Sequence, residues 1–347
     1  MNNFNEIKKF ILKIATVIII PLLLTGVICY NVDAFSTLHP LDVRIRGNDI
    51  NRNYVKTYYV VHNPKKFNSY IFGSSRVGNI HVEKIKNEKC YNMYYGKGVP
   101  KENLYSIISL IESGCTINKI YLGVDSYSYT EEYTIHDNEP LRATYRHLKA
   151  NPLKFIELYY DLSIAVRTIK EQLISGEDVE ESSNEIFYKY GWNHDYGETS
   201  DYDFDKASPT IGNANYLYET LEDIKAIKKV CDENDVELIV FTNPMHYITY
   251  EASLDVGYLD FLKGLAKIAT YYNFSGYNDI TTNNKNYYET SHYTAETSDM
   301  IIDIVWNGKE YSELLEQGFG YKVTKNNIDE LIDILIEERE EYLKNTK

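Results

Sequence analysis

Short apolar runs alternate with longer stretches of helical periodicity over most of the chain. Tyr70 to Phe72 is apolar and ends at Gly73, which predicts a strand running into a turn. Val82 to Lys86 carries a short helical pattern. Lys89 to Met93 predicts a second strand, followed by the glycine turn Gly96-Lys97-Gly98. Pro100 then opens a predicted helix to about Ile111, with Leu104, Ile107, Ile108 and Ile111 on one face. Lys119 to Gly123 predicts a third strand, with Asp125 just past its end. After an irregular interval, alternation resumes with a helix over Tyr216 to Asn234. A strong strand follows over Val236 to Phe241, ending in Thr242-Asn243-Pro244-Met245-His246. The remaining expectations are a helix over Tyr258 to Tyr272, a short strand over Phe274 to Tyr277, and helices over Ala295 to Trp306 and Ile328 to Leu343.

Short strands separated by amphipathic helices imply βαβ units. The expected fold is α/β, three layers with a central parallel sheet. In such sheets ligands bind beyond the carboxyl ends of the strands. Ser74, Ser75, Gly96, Gly98, Asp125, Asn243 and His246 all follow predicted strand ends, so they are expected along one rim.

Two regions break the pattern. Ile14 to Tyr30 is a run of 17 uncharged residues, extended by Phe10, Ile11 and Leu12, and long enough to cross a bilayer. Lys8, Lys9 and Lys13 precede it, and the next Lys or Arg is Arg44. The positive-inside rule then places the N-terminus in the cytoplasm and the rest of the chain outside. A cleaved signal peptide would need a small-x-small cleavage site, which Thr25-Gly26-Val27 matches poorly. A lipoprotein signal would need a small residue before Cys29, where Ile28 stands. An uncleaved single-pass anchor is the reading adopted. The second region, 126–215, holds an acidic loop, helical pieces around Pro152 to Leu173 and a polar stretch from Ser175 to Asp205; it reads as a largely helical insertion or lid. The expected organisation is a cytoplasmic tail (1–9), an anchor (10–30) and a membrane-proximal stalk (31–67) with a short strand at Tyr58 to Val61. An extracytoplasmic domain (68–347) carries the insertion at 126–215.

Charge narrows the function. The chain has 36 basic and 51 acidic residues, net −15, which argues against nonspecific nucleic-acid binding. Its 34 tyrosines suit sugar stacking, but a general compositional habit is the simpler reading. Cys29, Cys90, Cys115 and Cys231 form no close C-x-x-C pair. His194 with Asp195 and Glu198 lacks a second histidine at ligand spacing, so neither a metal nor a cofactor is expected.

The chemistry-bearing stretches are Gly73-Ser74-Ser75-Arg76 and Glu289-Thr290-Ser291-His292. A serine hydroxyl needs a base to become a nucleophile, and His292 is the candidate. Glu289, three residues earlier, can orient the imidazole; it also fits a helix-N-terminal acid. The amides of Ser75 and of Gly96 or Gly98 are candidate oxyanion donors. Either serine also suits a helix cap. Arg76, Asp125, Asn243 and His246 are candidate substrate contacts. Arg76 fits a structural ion pair with Asp125 equally well, and His246 fits a turn histidine with a local hydrogen bond. Asn243 is a candidate substitute oxyanion donor. Tyr287, Tyr288 and Tyr293 form a pocket wall or simply pack. The G-x-S-x-G elbow is not met, since Gly73-Ser74-Ser75-Arg76-Val77 lacks the second glycine.

These motifs, in this order, resemble the SGNH (GDSL-type) hydrolase superfamily over about Tyr70 to Trp306, insertion excluded. With the N-terminal anchor and Phe72-Gly73-Ser74-Ser75, the chain is most similar to the membrane-anchored branch. That branch includes the D-alanyl transfer protein of teichoic-acid alanylation and O-acetylation proteins of exopolysaccharide systems. The resemblance implies an SGNH/flavodoxin-like sandwich with Ser75, not Ser74, as nucleophile. It implies Glu289 and His292 as the other triad members, and Gly96, or Gly98, as the second-block glycine. It further implies an acylated glycan or glycopolymer as substrate and an acyl-exporting membrane protein as partner. The chain departs from the pattern twice. Gly123-Val124-Asp125-Ser126 stands where a Gly-x-Asn-Asp block would supply an oxyanion asparagine, and Glu289 replaces an aspartate. The first departure leaves a noncatalytic binding or assembly protein of a cell-envelope polysaccharide system as the alternative. A glycosidase would need paired carboxylates across a cleft, and no spacing here selects such a pair.

Overall fold

The N-terminal apolar run forms one helix, α1 (Asn2–Val32), in a computed structural model that describes residues 2–41, 50–132, 136–175, 181–191 and 202–346. Arg44, His194, Asp195 and Glu198 lie outside the described residues. Over Phe4–Val32 the helix reaches a mean hydropathy of 2.5, and none of its most apolar window is buried. It is long and apolar enough to cross a membrane.

The strand expected at Tyr58 to Val61 is instead the last turn of α2 (Arg52–Val61). The Asn51 side chain caps this helix by accepting from the Tyr54 N–H at 2.9 Å. Val55, Tyr59 and Val60 face inward at helical spacing, and that burial overrides the strand preference of the β-branched pair at its end. The chain then forms β1 (Ser69–Phe72), β2 (Cys90–Asn92), α3 (Pro100–Glu112) and β3 (Lys119–Val124). The long interval that follows holds α4 (Tyr127–Thr130), α5 (Tyr145–Ala150), α6 (Pro152–Tyr159), α7 (Leu162–Ser175) and α8 (Glu181–Tyr190). It returns through α9 (Leu217–Glu233) to β4 (Glu237–Thr242). The last part comprises α10 (Tyr247–Leu254), α11 (Tyr258–Ile268), β5 (Tyr271–Asn273), α12 (Ala295–Val305), α13 (Ser312–Glu316), β6 (Tyr321–Val323) and α14 (Ile328–Asn345).

The strands form one six-stranded sheet in the order β2-β1-β3-β4-β5-β6. The first five are parallel; β6 pairs antiparallel with β5, with Tyr271 opposite Val323. The sheet is therefore mixed, not wholly parallel as expected. The expected helix to Tyr272 stops at Ile268, and the strand placed at Phe274 to Tyr277 starts earlier, at Tyr271. Ala269 turns extended (φ −148°, ψ 154°), and pairing of Tyr271 with Val240 and Val323 decides what periodicity left ambiguous.

Side chains alternate across the sheet. Phe72, Leu122 and Val240 face one layer with Ile107 of α3, Ile224 of α9 and Leu265 of α11. Ile71, Tyr121 and Phe241 face the other, with Ile301 and Ile302 of α12. Each fully buried aliphatic or aromatic side chain contributes about 1.5–3 kcal/mol, so both layers are held firmly to the sheet. The chain leaves β1 for β2 on one side and crosses back to β3 on the other. This reversal opens a crevice beyond the ends of β1 and β3, where doubly wound sheets hold ligands.

Candidate active site

Gly73 ends β1 with φ +155°, and a Cβ there would meet the Gly123 carbonyl oxygen at 2.8 Å. The chain can turn this tightly only with glycine. Ser74 is the cap of a 3-10 helix, Ser75–Asn79; its Oγ accepts from the Arg76 N–H at 3.4 Å. Ser74 thus has the capping role, and Ser75 is left at the first helical position. Asn92, at the end of β2, pins this segment by donating to the carbonyls of Val77 at 2.8 Å and Ile80 at 3.2 Å.

The second half of the site is a bend closed by a β-bridge between Tyr287 and Tyr293. The Tyr288 N–H donates to the His292 carbonyl at 2.9 Å. Inside the bend, Glu289 accepts from the backbone N–H groups of Ser291 at 2.8 Å and His292 at 2.9 Å, and from the His292 ring at Nδ1. Sequence spacing alone suggested a helical turn or a helix N-terminus. The pairing comes instead from the bend, and the next helix, α12, begins only at Ala295. His292 Nε2 lies 2.9 Å from Ser75 Oγ. Burial pushes the Glu289 carboxyl up, but the hydrogen bond and charge of His292 and the two backbone amides outweigh it and hold the group below its ordinary value.

Arg76 joins the two halves. It is 1% exposed. Its Nε donates to both the carbonyl and the Oγ of Ser291 at 3.2 Å, its Nη2 donates to the Thr210 carbonyl at 3.2 Å, and its Nη1 lies 2.5 Å from Asp125 Oδ1. Asp125 also accepts from the Tyr127 N–H and from Asn243 Nδ2, each at 2.8 Å. Of the two roles open to Arg76, the structure shows the ion pair with Asp125.

A cleft of about 250 Å³ opens over these groups, lined by Ser75, Arg76, Glu289 and His292. Lys97, Tyr127, Thr210 and Ser291 also line it, none of them singled out from the sequence. Lys97 sits in a left-handed conformation (φ +59°) that a non-glycine residue adopts rarely, and its place between the two expected glycines was the one signal in the sequence. The glycines themselves have other places. Gly98 packs against β1, where a Cβ would come 2.5 Å from the Gly73 carbonyl oxygen, and its N–H donates to the Tyr95 carbonyl at 3.3 Å. The Gly98 N–H, one of the two glycine amides expected as oxyanion donors, is thus engaged in a turn. Gly96 is exposed and outside the described cleft lining.

Asn243 and His246 do follow β4 at the expected rim, but both are fully buried behind the cleft wall. Asn243 spends its amide on Asp125 and accepts from the Tyr293 hydroxyl at 3.4 Å, so it is not positioned as an oxyanion donor. His246 caps α10 by accepting from the Ile248 N–H at 3.3 Å, with Nε2 2.9 Å from Asn284 Oδ1. Burial lowers its pKa, against the opposing pull of Asn284 and Glu289. Tyr287 and Tyr293 pack in the core. A scan against protein-family models finds no match for this chain, and a search of curated proteins finds none either.

Proposed function

We propose that the chain is a serine acyl-esterase or O-acyltransferase with Ser75 as nucleophile, His292 as base and Glu289 as its orienting acid. The observation that supports this is the unbroken relay from Ser75 Oγ through the His292 ring to Glu289, at the wall of an open cleft. In this reading the Nδ1–H donates to Glu289, which leaves Nε2 free to take the serine proton. Oγ bonds to the acyl carbonyl carbon, and the carbonyl electron pair moves onto oxygen. The tetrahedral adduct collapses by expelling the alcohol, which takes the proton from Nε2. Water or a sugar hydroxyl then opens the acyl-enzyme ester, and its proton returns through His292 to Ser75. The Ser75 N–H serves as an oxyanion donor, since the first N–H of a helical turn has no acceptor within it.

The resemblance to the SGNH superfamily supports a cell-surface glycan or glycopolymer as substrate. It also supports an acyl-exporting membrane protein as partner. With α1 as anchor and Lys8, Lys9 and Lys13 held in the cytoplasm, the catalytic domain faces outward. One observation favours the second reading, a noncatalytic binding or assembly protein. Two of the expected oxyanion donors, the Gly98 amide and Asn243 Nδ2, are already engaged.

Fluorophosphonate labelling of the detergent-solubilised full chain separates the two. The enzyme reading expects one covalent adduct on Ser75 that is lost in Ser75→Ala. A folded wild-type chain that takes no label, or labels equally in Ser75→Ala, refutes it.

A further inference from the structure

Helices α6 and α7 carry large apolar side chains in the open. Leu153 and Ile156 of α6 are exposed, as are Leu162, Val166, Ile169 and Leu173 of α7; Leu153 and Leu173 are each 81% exposed. A soluble domain rarely leaves a contiguous face of this kind to water. On α7 the four residues follow the spacing i, i+4, i+7, i+11, which gathers them into one stripe. Lys170, Ser163, Arg167 and Glu171 run from the flank of the stripe round to its far side, with the exposed Ile174 among them and Arg167 and Glu171 3.6 Å apart. This is the pattern of a helix lying at an apolar–aqueous boundary.

The position of α7 says which boundary. Cys29 and Val32, at the end of α1, form a buried cluster with Ala165 of α7. Just beyond, Phe35 packs on Tyr159 with ring centroids 5.6 Å apart. The end of α6 and the start of α7 therefore lie beside the end of α1. Ala165, Thr168 and Gln172 form the less exposed side of α7, of which Ala165 meets α1. The exposed stripe lies roughly 100° round the helix from that side, next to whatever surrounds α1. An apolar groove of about 480 Å³, lined by Tyr54, Leu148, Pro152, Phe155 and Ile156, continues this face from α6 toward α2 and α5.

We infer that α6 and α7 seat in the interfacial layer of the same bilayer that α1 crosses, with the Leu162–Leu173 stripe and Leu153 and Ile156 in lipid. The inference rests on α1 being a membrane span. The occupant is lipid, not a protein, because the stripe is continuous with a helix whose apolar surface is itself uncovered over its whole most apolar window. Lys149, Arg167 and Lys170, on α5 and α7, suit the headgroup layer, where long cationic side chains reach water. A single helix leaves a domain free to swivel and tilt. A second contact fixes its attitude, and with it the height and direction of the cleft.

The full chain, reconstituted at one copy per nanodisc of phosphatidylcholine and phosphatidylglycerol with a diazirine-bearing acyl chain, tests this. After photolysis, adducts are mapped by peptide mass spectrometry. The expected result is adduct yield on peptides spanning 153–173 within about threefold of the yield on α1, and at least tenfold above α9. The double variant Leu153→Glu/Leu173→Glu should lose the α6–α7 adducts tenfold or more while keeping those on α1 and the same melting temperature. Labelling of α1 with α6–α7 at the α9 background overturns the inference and leaves the anchor standing. Absence of label on α1 overturns the anchor and the inference with it. Neither outcome bears on Ser75, which is read separately by its own label.

Discussion

Arg76→Met tests how the two halves of the site are held together. Arg76 and Asp125 are each 1% exposed and meet at 2.5 Å. Methionine fills much of the same volume without charge. It leaves the Asp125 carboxylate buried with two neutral donors, the Tyr127 N–H and Asn243 Nδ2. Breaking a buried ion pair from one side costs about 3–5 kcal/mol, because the remaining charge is uncompensated. For a domain of this size that lowers Tm by roughly 10 °C. The double variant Arg76→Met/Asp125→Asn removes the stranded charge as well and should recover about half of the loss, about 2 kcal/mol. Activity should separate from stability. Ser291, which Arg76 holds by carbonyl and hydroxyl, precedes His292 directly, so fluorophosphonate labelling should stay at least tenfold slow in both variants at temperatures where they are folded. Thermal melts in detergent and labelling rates measure the two effects. An Arg76→Met chain that melts within about 2 °C of wild type would show that the pair is not uncompensated as argued.

Glu289→Gln keeps an oxygen for the amides of Ser291 and His292 but turns an amide N–H toward His292 Nδ1, forcing the wrong tautomer. Labelling of Ser75 should slow by about two to four orders of magnitude with little change in Tm; a near-wild-type rate removes Glu289 from the relay. Asp223, on α9, is held up at about 6 by burial and the nearby Glu219, against the pull of Lys101. Its folded pKa lies above the unfolded one, so it destabilises the fold above about pH 6, and the penalty fades as pH falls toward 4. Asp223→Asn should therefore stabilise by about 1 kcal/mol at pH 8, after discounting for solvent screening, and by nothing at pH 4. Equal gains at both pH values count against the assignment.

Strands that repeat an apolar run between glycine and helix were readable, because burial on both faces leaves no polar alternation to confuse. Three short elements were not. Tyr321–Val323 is too short to carry a period, and its partner on β5 settles its state. Arg52–Val61 ends in residues that favour strands locally, and only its packing makes it helical. Tyr271–Asn273 continues the periodicity of α11 and is claimed by the sheet. In the site, Ser75 was singled out by its place just past a strand end and His292 by its spacing to Glu289, and the structure brings the two side chains to 2.9 Å. The Arg76–Asp125 ion pair was one of the roles open from the sequence, whereas the bond from Asn243 to Asp125 was not. That bond spans 118 positions, a separation that neither spacing nor residue type encodes.

Thr210 shows why the interval between β3 and β4 cannot be treated as a detachable cover. Its carbonyl accepts from Arg76, its N–H donates to Thr249 Oγ1 at 3.0 Å, and its hydroxyl lies 3.1 Å from Thr290 Oγ1. Thr290 in turn donates to the Ser208 carbonyl at 2.9 Å, and its own carbonyl accepts from the Thr249 hydroxyl at 2.8 Å. Two residues on, Gly212 lies so close to α4 that a Cβ would stand 2.1 Å from the Thr130 carbonyl oxygen. The segment is thus laced to the bend that carries Glu289 and His292, to α10 and to α4. Each bond is worth only about 1 kcal/mol net, but each donor or acceptor it leaves buried on opening costs about 1–3 kcal/mol. Opening the cleft by swinging this segment away would break several at once and release Arg76 from one of its acceptors. The described strap is a wall of the site. The geometry of His292 depends on a segment more than eighty residues away along the chain.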